Sequence, residues 1–153
     1  MKKKRTASRN GKKRKAGPTG RKRALTDRMM LDALLGSAED MVYFKDRDSR
    51  FLKVSQAFAV RIGARSPRDL IGLTDHDIFM TEHAEEAARD EKKILRTGKP
   101  LVGKIEKETW SDGHITWAST TKLPLKGPTG EIIGTFGISR DVTKQHLAEQ
   151  NLR

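Results

Sequence analysis

The sequence predicts an α+β fold, in which a β-meander follows two shorter strands and several helices, and three observations support this prediction. Strong turn signals at 112–113 (Asp-Gly) and 127–130 (Gly-Pro-Thr-Gly) divide Gly103–Thr143 into three consecutive β-rich runs. Two shorter β-rich runs precede this meander, and one long amphipathic pattern separates the two groups. Because the last strand passes directly into a helical segment, we expect a sheet that senses a signal or docks a partner and passes the resulting change to that helix.

The net charge of +12 comes from the first part of the chain. Residues 1–24 contain twelve basic residues and no acidic residue, so the rest of the chain is formally neutral. This segment has almost nothing to bury, and we expect a disordered basic tail. Two interpretations stay open: an electrostatic tether to nucleic acid, an anionic lipid surface or an acidic partner, or a solvated tail with no dedicated partner. Its most concentrated charges are Lys12, Lys13, Arg14, Lys15, Arg21, Lys22 and Arg23.

The absence of several sequence features argues against particular classes of protein and of functional site. The chain has no cysteine, which excludes disulfides, thiolate metal sites, cysteine nucleophiles and thiol-linked cofactors. No apolar run approaches the roughly 20 residues of a membrane span, and no signal-peptide core follows the basic start, so we expect a cytoplasmic protein. No Gly-rich phosphate loop, catalytic triad or paired-carboxylate cleft is recognisable, which predicts a non-enzyme. The acidic and histidine residues within 75–83 could suggest a divalent metal, but helix capping explains them more simply, and we predict no metal site.

The first elements are a helix and two short strands. Residues 25–36 have helical spacing and form an N-terminal flanking helix, whose apolar stripe includes Leu25 and Met29. Such a helix must pack on something, either the sheet of its own domain or the same helix of a second copy. Met41–Lys45 and Phe51–Val54 are the two short strands, on either side of a polar turn.

Helices of different lengths follow these strands. Gln56–Ile62 and Ser66–Leu70 are predicted as short helices, and a single helical turn follows at 74–79. Thr81–Thr97 is the one long helix, capped by Thr81, with acidic residues near its start and basic residues near its end. We expect the short helices to form a lid over one face of a sheet. The alanines of the long helix permit close approach to the sheet or leave room for a small molecule.

Three long strands are predicted at Gly103–Trp110, His114–Leu125 and Glu131–Ser139. With a tight turn at 111–113, alternation puts a bulky set of side chains on one face, and we expect that face to meet the N-terminal helix or another subunit. The smaller face then meets the lid of helices, and a slip of one residue in the turn would reverse the assignment. The bulky set is Trp110, Ile115, Trp117, Leu123 and Leu125, and the small set is Ile105, His114, Thr116, Ala118 and Thr120.

Five segments of the sequence resemble the PAS domain in their order and spacing. They are MVYFKDR (41–47), FLKVSQAFA (51–59), LIGLTD (70–75), WSDGHITWASTTKLPL (110–125) and GTFGISRDVT (134–143). The resemblance places the domain at residues 37–143 and is to PAS modules that precede histidine kinase or diguanylate cyclase domains. It implies a five-stranded antiparallel sheet in the order 2-1-5-4-3, with short helices and one long helix on one face and flanking helices at both ends.

The resemblance implies a non-catalytic sensory module in signal transduction. Its signal would be a small ligand between the long helix and the sheet or a partner on the sheet, and its effector a kinase or cyclase domain or protein. The output would pass through Asp141 and Thr143 to a C-terminal linker helix at 144–153, which is too short to hold a coiled-coil dimer alone. We expect a homodimer through a face with Leu25, Met29, Trp117, Phe136 and Ile138. The pocket-lining candidates are Phe44, Ile78, Ala87, Ala88, Glu91, Ile105, Ala118, Thr120 and Thr135.

Departures from the branches of the family narrow the choice of cofactor. The light-oxygen-voltage and photoactive-yellow branches need a cysteine, which this chain lacks. The haem branch takes its axial histidine from the middle of the long helix, where this chain has Ala-Ala-Arg-Asp at 87–90, and we expect His83, in the first turn, to be exposed or to cap the helix. We therefore expect neither haem nor cysteinyl flavin, while a non-covalent flavin or a small organic ligand stays open. An alternative function also stays open: a nucleic-acid-associated regulator whose basic tail binds DNA or RNA and whose PAS body dimerises.

Overall fold

The computed structural model describes residues 18–152. The chain divides into two units, with the boundary between Asp32 and Ala33. Two 3₁₀ turns, Pro67–Leu70 and Asp75–Asp77, lie between the second and third helices. The helices and strands are α1 Pro18–Ser37, β1 Met41–Asp46, β2 Phe51–Val54, α2 Gln56–Ile62, α3 Thr81–Thr97, β3 Leu101–Thr109, β4 Ile115–Lys126, β5 Ile132–Asp141 and α4 Thr143–Asn151.

The five strands form one antiparallel sheet in the order β2-β1-β5-β4-β3, which confirms the predicted fold. β5 lies at the centre because it pairs with β4, the preceding strand, on one side and with β1 on the other. The core lies on one face of this sheet, between it and α2, the 3₁₀ turns and α3. Its buried residues are Met41, Tyr43, Phe51, Val54, Phe58, Ala59, Leu70, Phe79 and Trp110.

The ends of two helices show how local signals act. Gly98 ends α3 in the left-handed region, at φ 69°, as a residue without a Cβ readily does. Two predictions need correction: Thr81 is the first residue of α3 rather than its cap, and α1 begins at Pro18, inside the segment predicted to be disordered. A proline suits the first position of a helix because the N–H that it lacks would be unpaired there. Residues 1–17 of the predicted tail lie outside the described residues.

The β3–β4 hairpin differs from the prediction in its register. Its loop, 111–113, has three residues, so that Thr109 pairs with Ile115. The predicted grouping, with Trp110 and Ile115 on the same face, requires a loop with an even number of residues. Because the loop has three residues, every β3 side chain lies on the face opposite to the predicted one. Trp110 therefore belongs to the core, with 6% of its surface exposed, and Ile105 lies on the outer face, with 48% exposed.

Phe44, predicted to line the pocket, also lies on the outer face of the sheet. Alternation along β1 places Met41, Tyr43 and Lys45 inside and turns Phe44 outwards, where its ring stacks on Phe136 with centroids 5.7 Å apart. The sequence suggested the opposite because an aromatic residue is normally buried in preference to a lysine. Lys45 is inside because two carboxylates pair with it there.

Candidate functional site

A buried cluster of ion pairs lies between α3 and the inner face of the sheet. Lys45 on β1, 1% exposed, contacts the carboxylates of Asp75, from the second 3₁₀ turn, and Glu91, from α3. Its Nζ lies 2.6 Å from Glu91 Oε1. Burial by itself would lower the pKa of Lys45, but the two carboxylates outweigh burial and raise the pKa. Lys45 is therefore a cation that holds acidic side chains from two separate elements together.

Lys122, on β4, is also buried and is much less completely paired. It is 3% exposed, and its Nζ lies 3.8 Å from Glu91 Oε1, which is beyond hydrogen-bond distance. Glu91 Oε1 is already bonded to Lys45 at 2.6 Å, and Glu91 Oε2 is buried without a hydrogen-bond partner in the same part of the chain. Lys122 therefore keeps unused donor capacity in the core.

A cavity of about 20 Å³ lies beside these ion pairs. Its apolar wall comes from Phe51, Phe58, Phe79 and Ala87. Its polar wall comes from β1, β3, β4 and β5 of the sheet, the second 3₁₀ turn and α3. The volume holds roughly one water molecule. The acidic and basic side chains that line it are Lys45, Asp75, His83, Glu106, Glu108 and Lys122.

Glu106, on β3, lines the cavity and has one buried carboxylate oxygen without a hydrogen-bond partner in the described chain. It is 4% exposed, and its Oε1 accepts no hydrogen bond from the described chain; Lys104 Nζ lies 3.6 Å away, beyond hydrogen-bond distance. Lys104 is instead bonded to Asp90 at 2.6 Å and to Glu86 at 2.7 Å. Burial alone would lower the pKa of Lys104, and the hydrogen bonds with Asp90 and Glu86 raise it to about 12. The positive charge of Lys104 is therefore shared with two outer carboxylates.

His83 closes the cavity at the first turn of α3. It is 9% exposed, its ring meets Phe79 edge-on with centroids 4.7 Å apart, and its Nδ1 is buried without a hydrogen-bond partner among the described residues. The prediction that His83 is exposed or caps the helix was wrong, because the third residue of α3 faces the core.

Hydroxyl groups continue the polar lining across the centre of the sheet. The Ser139 hydroxyl lies 3.0 Å from that of Thr120 and 3.4 Å from the Tyr43 phenol. Burial raises the pKa of the Tyr43 phenol, so this group stays protonated and able to donate. The inner face of β1, β5 and β4 therefore also carries uncharged polar groups next to the buried lysines.

The structure brings some of the predicted pocket residues together and separates others. Ala87 lines the cavity, whereas Ile78 packs against the aromatic core and Ala88 lines a cleft outside it. Phe44 and Ile105 lie on the opposite face of the sheet. The other four are buried, and one of them, Glu91, belongs to the ion pairs; they are Glu91, Ala118, Thr120 and Thr135.

The charged lining of the cavity is the part that sequence reasoning missed. The alternation that places Tyr43 and Thr120 inside also places Lys45 and Lys122 inside, two residues later on the same strands. That signal was readable, but a lysine is almost never fully buried unless it is paired. The partners of Lys45 lie 30 and 46 residues further along the chain, where no local pattern connects them to it.

A chain of polar contacts leads from the cavity to the start of α4. Arg61, on α2, lies 3.4 Å from Glu108 Oε2 in the cavity wall and donates to Asp141 Oδ2 at 2.8 Å. Asp141 Oδ1 accepts from the backbone N–H of Thr143 at 2.9 Å, and the Thr143 hydroxyl accepts from the backbone N–H of Trp117 at 2.9 Å. Burial alone would raise the pKa of Asp141, but hydrogen bonds from Thr143 and Arg61 lower it to about 2. We call Arg61, Glu108, Asp141 and Thr143 the clasp.

The outer face of the sheet carries the apolar residues predicted for a dimer. Trp117 stacks on His146 of α4 with ring centroids 4.0 Å apart. Phe136 is half-buried and Ile138 is 43% exposed on the same face. This face therefore offers an apolar surface that extends to α4.

Helix α1 carries the other residues predicted for partner contacts. Leu25 and Met29 are 55% and 70% exposed. Arg21, Lys22 and Arg23 are exposed on the same helix, while residues 12–15 lie outside the described residues. Within residues 18–152, no three histidine or acidic side chains converge as a metal site requires. No helix of that part is long and apolar enough to cross a membrane.

The sheet order, the helices on one face and the polar cavity beneath α3 define a domain of the PAS class. The profile of the PAS-fold family matches residues 35–147, and the chain therefore belongs to this family. The methanogenesis regulatory histidine kinase FilI of Methanothrix harundinacea is 28% identical over 110 residues, which are 72% of this chain and 12% of FilI. A diguanylate cyclase of Vibrio cholerae is 26% identical over 103 residues, which are 67% of this chain and 32% of the cyclase. The chain thus spans at most about a third of these relatives.

Among solved structures, VqmA of Vibrio cholerae is similar to this chain. Its dimer, in the absence of target DNA, gives a TM-score of 0.68 at 26% identity, covering 76% of this chain and 52% of VqmA. VqmA bound to DPO gives a TM-score of 0.66 at 26% identity, with coverages of 74% and 57%. The similarity therefore includes a ligand-bound receptor.

Proposed function

We propose that this chain is a non-catalytic sensory module that binds a small molecule between α3 and the sheet and passes the signal to α4. The cavity carries the proposal, since Glu106 and His83 line it and each has a buried polar atom with no hydrogen-bond partner within residues 18–152. Leaving such groups unpaired costs about 1–3 kcal/mol each, so a ligand that pairs them gains affinity. The regulatory kinase FilI and the DPO-bound receptor VqmA support the proposal.

The proposal includes a homodimer that acts on a kinase or cyclase effector in the cytoplasm. The exposed apolar residues of the outer face and of α1 support a second copy as the partner, and VqmA is a dimer. The relatives FilI and the cyclase support the type of effector. The residues proposed for the interface are Leu25, Met29, Trp117, Phe136 and Ile138.

Native mass spectrometry of the chain purified from cells without denaturation tests this function. We expect the mass of a dimer that carries one small molecule per chain, released when the protein is denatured. The matched control is the same protein after denaturation and refolding in clean buffer, which should keep the dimer mass and lose the additional mass. A monomer at tens of micromolar with no additional mass would count against both parts of the proposal.

The alternative function, nucleic-acid binding through the basic tail, gives a different result in the same experiment. It is supported by the exposed Arg21, Lys22 and Arg23 on α1 and by the similarity to VqmA, a receptor with a target DNA. Nucleic acid would then co-purify, would dissociate as salt is raised, and would be absent when residues 1–24 are deleted.

The clasp is proposed as the route by which the cavity acts on α4. Asp141→Asn removes the charge that Arg61 pairs with, so we expect faster hydrogen exchange of the α4 amides and a loss of about 1 kcal/mol or less in the free energy of unfolding. Arg61→Gln should give the same change in exchange. Asp48→Asn, at an exposed turn, is the matched control and should leave α4 unchanged.

The lowered pKa of Asp141 sets the pH dependence of this effect. Because the pKa is lowered in the folded state to about 2, the stabilisation is present above the unfolded value of roughly 3.9 and is lost as the pH falls through about 2. The difference between the native chain and Asp141→Asn should therefore be constant at neutral pH and vanish in strong acid. Equal exchange of α4 in the two proteins at pH 7 would show that the clasp does not restrain α4.

A further inference from the structure

The side chains that hold α4 on the sheet include one titratable ring. No side chain of α4 is fully buried, and the polar contacts of its first residue, Thr143, belong to the clasp. One turn later the ring of His146 stacks on Trp117 of β4, with centroids 4.0 Å apart and ring planes 27° apart. A change in this stack should therefore alter how firmly α4 is held.

His146 can change its charge without losing its polar partner. Its Nε2 lies 2.9 Å from Nε2 of Gln150, one turn further along α4. In this arrangement the amide donates and the ring accepts, so the imidazole is neutral. A protonated ring donates instead, and Gln150 supplies an acceptor when its amide turns over to present Oε1. Both protonation states are therefore compatible with this position in α4.

The elements packed around the stack carry charged groups, and none of these forms an ion pair with His146 within residues 18–152. Arg140 is already paired with Asp40, and Asp141 with Arg61. Protonation of the histidine therefore acts mainly through the tryptophan ring. The charged groups are Lys107 on β3, opposite Trp117, Arg140 and Asp141 on β5, and Lys144 and Glu149 on α4.

The protonated and neutral rings differ in their attraction to the tryptophan. The face of an indole ring attracts a cation that lies over it within about 6 Å, whereas a neutral imidazole keeps only the stacking contact. Trp117 and His146 are both half-buried, so water screens the contact only in part. The additional attraction corresponds to a change of about two- to fivefold in the equilibrium between docked and undocked α4.

The dipole of α4 opposes this effect. His146 is the fourth residue of the helix, and a positive charge near a helix N-terminus is unfavourable. The dipole acts through the unpaired N–H groups of the first turn, and its influence falls off within that turn. The N–H of His146 is already bonded to the carbonyl oxygen of Val142 at 2.8 Å. We therefore expect the attraction of the ring to exceed the effect of the dipole.

We propose that the Trp117–His146 stack is a pH-sensitive contact, which holds α4 on the sheet more firmly when His146 is protonated. Histidine is the side chain that ordinarily changes its charge between pH 5 and 8. The inference goes beyond the proposed function, because this input reaches α4 from the outer face of the sheet and not through the cavity.

Amide hydrogen exchange of the full chain between pH 5 and 8, measured by mass spectrometry with labelling times from milliseconds, tests the inference. After correction for the intrinsic pH dependence of exchange, the α4 amides should be about two- to fivefold better protected at pH 5 than at pH 8. Sedimentation at each pH reports separately on the oligomeric state, since Trp117 also belongs to the proposed dimer face.

Matched variants assign the pH dependence to one ring. His146→Phe keeps an aromatic ring over Trp117 and removes the charge, so the protection of α4 should no longer differ between the two pH values. His146→Gln also removes the ring, and should lower protection at both pH values and abolish the difference. His76→Gln, at an exposed histidine of the second 3₁₀ turn, is the control and should keep the full native difference.

The native chain alone can overturn the inference. Equal protection of α4 at pH 5 and pH 8, or weaker protection at pH 5, would do so. A native difference that survives in His146→Phe would also overturn it, because another titratable group would then be responsible. The proposed sensory function is tested independently, since retention of a small molecule in native mass spectrometry concerns the cavity, which His146 does not line.

Discussion

Lys45→Met is expected to lower the free energy of unfolding by about 3–5 kcal/mol, because it leaves two buried carboxylates without their cation. Asp75 and Glu91 both bind Lys45 Nζ, and Glu91 would keep Lys122 at 3.8 Å as its remaining cation. Urea unfolding at pH 7, followed by far-UV circular dichroism, measures the loss. Lys107→Met is the control, since Lys107 is exposed on the outer face of β3, and it should change stability by less than about 0.5 kcal/mol.

A second variant separates the lost charge from the lost side chain. Adding Asp75→Asn and Glu91→Gln to Lys45→Met removes both uncompensated charges, and we expect part of the lost stability to return. Lys45 stays charged at neutral pH because its pKa is raised in the folded state. The stabilisation that it provides is therefore full at pH values below the unfolded pKa of roughly 10.4. It is lost only as the pH rises through the higher pKa of the folded state. A loss below about 1 kcal/mol for Lys45→Met, with the control unchanged, would contradict a buried ion cluster.

The elements with local signals could be predicted from the sequence. The long helix α3 has the predicted bounds, Thr81–Thr97, because its amphipathic pattern ends at a glycine that takes a left-handed conformation. The sheet order also agrees with the prediction, since five segments in the right order resemble one family. The end of α3 is determined by a local signal, whereas the sheet order was predicted only from the resemblance of the whole series of segments.

The site depends on information that no short segment contains. The faces of β3 were assigned wrongly because one residue in the loop at 111–113 decides which side chains point inwards. Lys45 and Lys122 follow the inward alternation of their strands, but their burial is stable only because of carboxylates from elements far along the chain. His83 was misplaced for a related reason, since helical spacing alone does not say which face of the first turn meets the core.

The two tryptophans of the β3–β4 hairpin test the corrected register. Trp110→Ala should lower the free energy of unfolding by about 3–5 kcal/mol, because Trp110 is 6% exposed, packs on Phe79 and donates from Nε1 to the Thr116 hydroxyl at 2.8 Å. Trp117→Ala, the matched variant on the outer face, loses mainly its stacking on His146, and about 1–2 kcal/mol is expected.

The same pair of variants separates the stability of the fold from the proposed dimer. If the outer face binds a second copy, sedimentation should show that Trp117→Ala weakens the dimer although the fold remains, whereas Trp110→Ala should destabilise the fold itself. Equal losses of stability in the two variants would mean that both rings lie on one face, as an even-numbered loop requires, and would contradict the three-residue loop. If the Trp110→Ala variant were more stable than the Trp117→Ala variant, Trp110 could not lie in the core. Glu106 and Glu108, which share its face of β3, would then not point inwards, and the proposed ligand site depends on that direction.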